Sequence, residues 1–216
     1  VERVVALRLQ YGWGAKKLRV LLEREGIDLA CITVNRILKR QGLLRRADAH
    51  QPALTRFERQ RPNELWQMDF KGPFTVQEGR CHVLSLLDDH SRYAVGLFPL
   101  PSTAAHPTYA CLVETFRRYG LPEEMLMDHG TPWWNPNSFS GLSWLAVQLF
   151  KQGIELHFSR FRHPQTQGKV EALHRTIQRA FDHHGLPPSQ TEAVAFFQHL
   201  WPEYNDLRPH EALGQE

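Results

Sequence analysis

Residues 81–100 read CHVLSLLDDHSRYAVGLFPL, two apolar runs on either side of a short polar segment. Each run has the length and the aliphatic and aromatic content typical of a β-strand. The polar segment begins with Asp88 and Asp89, and aspartate is a residue that favours turns. We therefore expect strands over residues 81–87 and 93–100 that pair as an antiparallel hairpin, with both aspartates in the turn.

Further strand and helix patterns lie on both sides of this hairpin. An apolar run over residues 64–70 predicts a strand before it. The elements expected after it are a helix that Thr103 caps and Gly120 ends, a strand over 125–128, a helix over 140–152, a strand over 154–158, and helices over 169–183 and 191–204. This order predicts a mixed α/β fold, a five-stranded sheet that starts antiparallel, crosses over later and is flanked by helices.

Residues 1–46 carry helical periodicity instead, with a break at residues 11–14. A third helix is expected from about Thr33, its cap, to Gln41, and Gly42 ends it. Its polar face holds four candidate DNA contacts: Asn35, Arg36, Lys39 and Arg40. Two short helices joined by a turn, the second of them basic, are typical of a helix-turn-helix unit. The alternative is a small helical bundle with a solvated charged face.

Charge is distributed unevenly along the chain. Residues 1–62 hold 14 Lys and Arg against 6 Asp and Glu, a net charge of +8, whereas residues 63–216 hold 12 against 17, a net charge of −5, for a total of +3. Residues 47–62 contain two prolines and little periodicity, so we interpret them as a basic linker. We expect a helix-turn-helix-like DNA-binding segment over 1–46, this linker, and a catalytic domain over 63–216. Uneven solvated surface charge is the alternative.

Composition argues against several classes of protein. Cys31, Cys81 and Cys111 lie far apart and form no C-x-x-C pair, so neither a disulfide framework nor a structural zinc site is indicated. No apolar run has the length of a membrane span, and no signal peptide is visible. We expect an intracellular protein without a membrane partner and, because the sequence begins with Val1, a fragment of a longer chain.

Three acidic residues are placed where their side chains can converge. Asp69 lies near the end of the first predicted strand, Asp128 ends the fourth, and Glu171 is in the first turn of the helix that follows a polar loop. Carboxylates converging above a sheet suit hard cations such as Mg²⁺ and leave positions for water and phosphate. Two such ions can drive an in-line displacement at phosphorus. Taken singly, each residue has a structural alternative as a turn, cap or helix-dipole residue.

Five motifs around these residues resemble those of DDE transposases of bacterial insertion sequences, the group that shares the retroviral integrase catalytic core. The motifs follow in the family's order: WQMDF (66–70), LDDHSRY (87–93), DHGTPW (128–133), HPQTQGKVEALHRT (163–176) and YNDLRPHEALG (204–214). The N-terminal helices resemble the family's helix-turn-helix region. The resemblance therefore covers nearly the whole chain.

This resemblance implies an RNase H-like fold in which Asp69, Asp128 and Glu171 form the catalytic and metal-binding DDE triad, with two Mg²⁺ (or Mn²⁺) ions. It implies a transposase that cuts insertion-sequence ends and joins them to target DNA. Double-stranded DNA is then the partner, a homo-oligomer holds two DNA ends, and the protein acts at the bacterial nucleoid in the cytoplasm. Forty-two residues separate Asp128 from Glu171, more than in the best-known members, and we assign the extra residues to a loop over 133–142.

Two basic residues near the triad are candidate DNA contacts. Lys169 resembles the family's basic residue at that position. Arg175 follows Glu171 by one helical turn, where it contacts a phosphate or, alternatively, forms a surface ion pair with Glu171. Both lie outside the apolar stripe predicted for this helix, which consists of Val170, Leu173, Ile177 and Phe181.

Other polar and aromatic residues are left open. Trp133 and Trp134 either stack on a DNA base or pack the loop. We interpret His183 and His184 as a polar helix end rather than a ligand pair. Three residues near the C-terminus either touch DNA or pack the last helix: Asn205, Arg208 and His210.

Two other functions remain as alternatives. The first is a hydrolytic DNA nuclease of the same fold, and the helix-turn-helix pattern argues against it because recognition of DNA ends needs such a reader. The second is a non-catalytic DNA-binding regulator derived from a transposase, and the complete acidic triad argues against that.

Overall fold

The computed structural model of this protein describes residues 1–44, 58–159, 168–210 and 213. Its elements follow in the order α1 (Glu2–Tyr11), α2 (Ala15–Arg24), α3 (Cys31–Arg40), β1 (Leu65–Val76), β2 (Gly79–Asp88), β3 (Ala94–Leu100), α4 (Ala105–Tyr119), β4 (Glu124–Met127), α5 (Trp144–Lys151), β5 (Glu155–Phe158), α6 (Gly168–His184) and α7 (Gln190–Pro202), and a π-helical turn over Glu203–Leu207 comes next.

The described residues divide into two compact units. The first contains residues 1–44, 178–185, 206–210 and 213. The second contains residues 58–159, 168–177 and 186–205.

The second unit is built on a five-stranded sheet in the order β3-β2-β1-β4-β5. β2 pairs antiparallel with β1 and β3, whereas β4 pairs parallel with β1 and β5. α4 connects β3 to β4, and α5 connects the neighbouring parallel strands β4 and β5, which cannot be joined by a tight turn. The mixed α/β sheet of five strands predicted from the sequence is confirmed.

The hairpin at residues 81–100 forms as predicted, with β2 and β3 antiparallel. Asp88 is a turn residue, because its Oδ1 accepts hydrogen bonds from the backbone N–H and the hydroxyl of Ser91 (2.7 and 2.6 Å). The turn interpretation is incomplete for Asp89, which is fully buried and bonds to residues far from the hairpin.

β1 is longer than the sequence pattern predicts. The predicted strand ends at residue 70, but β1 continues through Gly72 and Pro73, which are residues that weaken a strand interior. The structure absorbs them in a register shift between Lys71 and Phe74, after which β1 resumes its pairing with β2. Because the predicted first strand stops at residue 70, the hairpin between β1 and β2 is not predicted from the sequence.

Alternation along β1 sends neighbouring side chains to opposite faces of the sheet. Trp66 and Met68 are fully buried in the main hydrophobic cluster, whose helical members come from α4 and α5: Leu112, Leu145 and Leu149. Gln67 and Asp69 lie on the other face, where the Oε1 atom of Gln67 accepts a hydrogen bond from the backbone N–H of Val170 in α6 (3.3 Å). Asp69 therefore shares a face with the helix that carries the third predicted carboxylate.

Several predicted helix bounds are wrong. Thr103 does not cap α4, whose N-cap is Ala104, and Thr33 lies inside α3, whose N-cap is Ala30. Both helices begin at residues that pack against a hydrophobic core, so tertiary contact outweighs local capping: Ala105 and Cys31. α5 starts at Trp144 rather than 140, because the hydroxyl of Ser143 accepts a hydrogen bond from the backbone N–H of Ala146 (3.1 Å).

α1, α2 and α3 of the first unit pack around a core of their own. Its buried members are Val4, Leu7, Ala15, Leu18, Leu21, Leu22, Val34 and Leu38. The break between α1 and α2 is held by buried Arg8, which donates to the carbonyl oxygens of Trp13 (2.6 Å) and Leu43 (3.1 Å). Gly42 adopts φ 67° directly after the end of α3, as the sequence predicts.

Candidate catalytic site

The register of two parallel strands places Asp69 and Asp128 side by side. Gln67 of β1 pairs with Leu126 of β4. Asp69 follows Gln67 by two residues, and Asp128 follows Leu126 by two residues. Parallel strands keep equivalent residues at the same height, so the two carboxylates stand side by side, Asp69 within β1 and Asp128 just past the end of β4. The predicted strand 125–128 is confirmed apart from its last residue, because β4 ends at Met127 and frees Asp128 from the sheet.

The sequence predicts Asp69 near the end of the first strand, but β1 continues to Val76, so Asp69 lies inside the strand. It is partly buried there, with 23% of its side chain exposed. Its Oδ1 atom accepts a hydrogen bond from the backbone N–H of Phe70 (2.8 Å). Burial and, after it, the negative charge of Asp128 raise the pKa of Asp69 to about 7, with a smaller contribution from Glu171 and against the effect of that hydrogen bond. Asp128 and Glu171 are therefore both close enough to act on Asp69 electrostatically.

Asp128 is oriented by two donors from its own loop. Its Oδ1 atom accepts hydrogen bonds from the backbone N–H of Gly130 (2.8 Å) and from the indole Nε1–H of Trp133 (2.6 Å). A side chain at residue 130 would not fit, because a Cβ there would lie 2.8 Å from the same oxygen. Glycine is therefore required for the close approach of this loop to the carboxylate.

Glu171 lies in the first turn of α6, whose predicted apolar stripe is confirmed: Val170, Leu173, Ile177 and Phe181 are all buried. The helix brings a residue that the sequence analysis did not single out, His174, to the site. Its Nδ1 atom lies 3.8 Å from Oδ2 of Asp69. Burial, together with the positive charge of Lys71, lowers the pKa of His174 to about 4, so the imidazole is neutral at pH 7. The signal was present in the sequence, since His174 follows Glu171 by three helical positions.

The donor chemistry of this trio fits a divalent cation. Three carboxylates supply only oxygen ligands, the kind that Mg²⁺ binds. Burial first, and then the charges of Asp128 and Glu171, raise the pKa of Asp69, and a bound cation would favour its ionised form. Within residues 1–44, 58–159, 168–210 and 213, no three His, Cys, Asp or Glu side chains are drawn together tightly enough to enclose a metal ion.

Lys169, a candidate DNA contact from the sequence, has a different partner in the structure. Its Nζ atom lies 2.6 Å from Oδ2 of Asp89 and donates to the backbone carbonyl of the same residue (3.0 Å). Asp89 also accepts hydrogen bonds from the side chain of Gln67 and the backbone of Arg59, both 2.8 Å long. This buried network ties the start of α6 to β1 and to the end of β2. Nothing in the sequence links two residues eighty positions apart.

The other candidate DNA contacts are exposed. Arg175 projects into solvent from α6, and so do the four polar residues of α3 in the first unit: Asn35, Arg36, Lys39 and Arg40. The polar part of the motif at 163–167 lies outside the described residues.

Three of the residues left open by the sequence are packed in the structure: Trp133, Trp134 and Asn205. Trp133 is buried, and Trp134 makes edge contacts with His129 and Phe158. The side chain of Asn205 exchanges hydrogen bonds with the backbone N–H and carbonyl of Ala94 (2.8 and 3.1 Å). Asn205 therefore packs the segment after α7 against β3.

Family models agree with this architecture. A model described as integrase core domain matches residues 59–164, and a second model with the same description matches residues 152–216. Together they span the strands and helices that carry all three carboxylates.

Curated relatives come from a bacterial insertion element and from retroviruses. The chain is 23% identical, over 94% of its length, to an uncharacterised 31.7 kDa protein of insertion element IS407 from Burkholderia multivorans, and covers 72% of that protein. It is 30% identical, over 55% of its length, to the Pol polyprotein of radiation murine leukemia virus, and 27% identical, over 76%, to the Gag-Pol polyprotein of feline leukemia virus. The chain spans 19% and 10% of these two viral polyproteins.

Solved structures with a similar fold are retroviral integrases. The catalytic core domain of HTLV-2 integrase, solved with magnesium, superposes with a TM-score of 0.52 at 14% identity, over 68% of this chain and 89% of that one. A chain of the simian T-cell lymphotropic virus intasome, solved in complex with PP2A regulatory subunit B56 gamma, superposes with a TM-score of 0.51 at 17% identity, over 90% of this chain and 67% of that one. The fold is thus RNase H-like, as the sequence resemblance implied. None of the described helices is both long and apolar enough to cross a membrane.

Proposed function

Because this chain belongs to the integrase core domain family, we propose that it is a transposase that cleaves DNA at insertion-sequence ends and transfers the cut strand to target DNA. One observation supports this above all. The β1–β4 register sets Asp69 and Asp128 at equivalent positions of adjacent strands, and their charges, with that of Glu171, act on one another.

The proposed cofactor is Mg²⁺ or Mn²⁺, with two ions per site. When bound, the metal would supply Lewis acidity at the attacking and leaving oxygens of the phosphodiester. Asp69, Asp128 and Glu171 would hold it. Gly130 and Trp133 fix the orientation of Asp128, and the neutral imidazole of His174 adds no positive charge beside Asp69.

Each unit is proposed to contact DNA through residues of its own. The exposed face of α3, with Asn35, Arg36, Lys39 and Arg40, is the proposed reader of the element end, and Arg175 is the proposed phosphate contact near the triad. Lys169 is better suited to holding α6, since its ammonium group is bound to Asp89. Two DNA ends call for a homo-oligomer, and the proposed place of action is the bacterial nucleoid in the cytoplasm.

The test is a joining assay. Labelled duplex carrying the element's terminal repeat is incubated with the protein, a plasmid target and Mg²⁺ or Mn²⁺. We expect 3′-end cleavage followed by joined products, and loss of both with Glu171→Gln. Glu192→Gln is the matched control, because Glu192 is an exposed glutamate in the first turn of another helix, α7. Cleavage without joining would favour the nuclease, and DNA binding alone would favour the regulator.

A further inference from the structure

Trp133 makes two contacts that join the two aspartates of the site. Its indole ring, 1% exposed, stacks on Phe70 with 5.4 Å between ring centroids and 10° between ring planes. Phe70 directly follows Asp69 in β1. The indole Nε1–H donates a 2.6 Å hydrogen bond to Oδ1 of Asp128.

The hydrogen bond selects one oxygen of Asp128. Oδ1 receives both the Trp133 indole and the Gly130 backbone N–H, whereas Oδ2 has no hydrogen-bond partner within the described parts of the chain. Because short charge-assisted hydrogen bonds hold Oδ1, the other oxygen, Oδ2, points in a fixed direction. Removing a group that orients a metal ligand in this way typically weakens metal binding by about 10- to 100-fold.

We propose that Trp133 is a positioning residue, which aims Oδ2 of Asp128 at the metal and, through its stack on Phe70, fixes Asp128 relative to Asp69. This inference rests on the proposed metal-dependent function. Core packing would require an aromatic ring at this position but not its N–H group, so the two roles can be separated by removing the N–H alone.

A second buried tryptophan provides a matched comparison. Trp66 is 0% exposed, stacks on Phe116 with 5.9 Å between ring centroids, and donates from Nε1 to Oδ1 of Asn63 (3.0 Å). It belongs to the same hydrophobic cluster as Trp133. Trp66→Phe and Trp133→Phe therefore each keep a buried ring and lose one indole hydrogen bond, and only the second bond reaches the site.

The first measurement is metal affinity by calorimetric titration of the full chain with Mg²⁺ and Mn²⁺. We expect Trp133→Phe to weaken binding about 10- to 100-fold. Trp66→Phe should bind as wild type does, even though both variants lower the melting temperature. Asp128→Ala should abolish binding and serves as the test of the site itself.

The second measurement needs no metal. In a ¹H–¹⁵N NMR spectrum the indole signal of Trp133 is the one missing from Trp133→Phe. We expect Asp128→Ala to shift this signal and to speed its exchange with solvent, while the Trp66 signal stays unchanged.

The outcomes separate the two hypotheses. If wild type binds metal, Asp128→Ala does not, and Trp133→Phe binds as wild type does, the positioning role is overturned and the proposed function stands. If Asp128→Ala changes neither the position nor the solvent exchange of the Trp133 indole signal, the positioning role is also overturned. If wild type binds neither metal while that signal responds to Asp128→Ala, the metal-dependent function fails and takes the positioning role with it.

Discussion

Of the three carboxyl groups of the site, Asp69 is the one whose ionisation the surrounding residues oppose. Burial and the neighbouring charges of Asp128 and Glu171 all oppose its ionisation, which is why its pKa rises to about 7. A structural aspartate inside a strand would have donors or a cation around it. Here the only hydrogen bond recorded is from the neighbouring backbone, at 2.8 Å, in the part of the chain the structure describes. The ionised carboxylate of Asp69 is therefore better stabilised by a bound cation than by the contacts of the metal-free protein.

Mg²⁺ should therefore stabilise the folded protein through Asp69. At about one hundred times its dissociation constant, a ligand that binds only the native state adds about 2.7 kcal/mol to the free energy of unfolding. We expect the melting temperature of wild type, followed by circular dichroism, to rise with Mg²⁺ and to saturate. Asp69→Asn should remove this rise without lowering the metal-free melting temperature, because it removes a repulsive charge. An equal Mg²⁺-induced rise in Asp69→Asn would contradict the assignment.

Substitution of His174 should affect the free energy of unfolding and the rate of DNA cleavage in opposite directions. Its Nε2 atom is buried without a hydrogen bond to any residue that the structure describes. Replacing an unsatisfied buried polar group by an apolar one of similar volume is neutral or stabilising. His174→Leu should therefore match or exceed wild type in urea-induced unfolding, yet cleave DNA more slowly because Asp69 loses its polar neighbour. His199→Leu, at an exposed position of α7, is the control, and unchanged cleavage in His174→Leu would exclude a role at the site.

At the scale of elements, the sequence predicts the order and type of every strand in the sheet because periodicity is a local property. It fails where distant contacts decide. Thr33 and Thr103 are good caps by type, but α3 and α4 begin where Cys31 and Ala105 reach a core. Asp89 looks like a turn residue, but the structure buries it against Lys169 of α6. Such a pairing is fixed by topology, which no local pattern contains.

The Asp89–Lys169 pair should anchor α6, and with it Glu171. Asp89 is fully buried and the Lys169 side chain is 17% exposed, so Lys169→Met leaves an uncompensated buried charge. Removing one partner of a buried pair costs about 3–5 kcal/mol. We expect a loss of this size in urea-induced unfolding, and a partial recovery in the double variant Asp89→Asn/Lys169→Met.

Arg19→Met provides the comparison for this pair. Arg19 forms an exposed ion pair with Glu23 (3.2 Å), and breaking such a pair costs less than about 1 kcal/mol. If Lys169→Met cost no more than Arg19→Met, the buried pair would not anchor the helix.

At the scale of the whole molecule, charge and chemistry are segregated. Residues 1–62 carry the excess of positive charge and residues 63–216 the excess of negative charge, and the carboxylates of the candidate site all belong to the acidic part. The sequence alone predicts this division, since it depends on composition only. It cannot predict that residues 178–185 and 206–210 belong to the same compact unit as the N-terminal helices. This grouping depends on contacts between residues far apart in the sequence, which no local pattern contains.

The exposed basic face of α3 should supply much of the DNA affinity and little of the chemistry. Each lost phosphate contact lowers the slope of log K against log[salt] by about one. We expect Arg36→Ala/Arg40→Ala to weaken binding of duplex DNA, with a salt slope about two smaller in fluorescence anisotropy, while calorimetric Mg²⁺ binding stays at the wild-type value. Arg80→Ala/Arg117→Ala removes two exposed arginines outside α3 and controls for the same loss of net charge. An equal loss of affinity in this control would mean that overall charge, rather than the face of α3, attracts DNA.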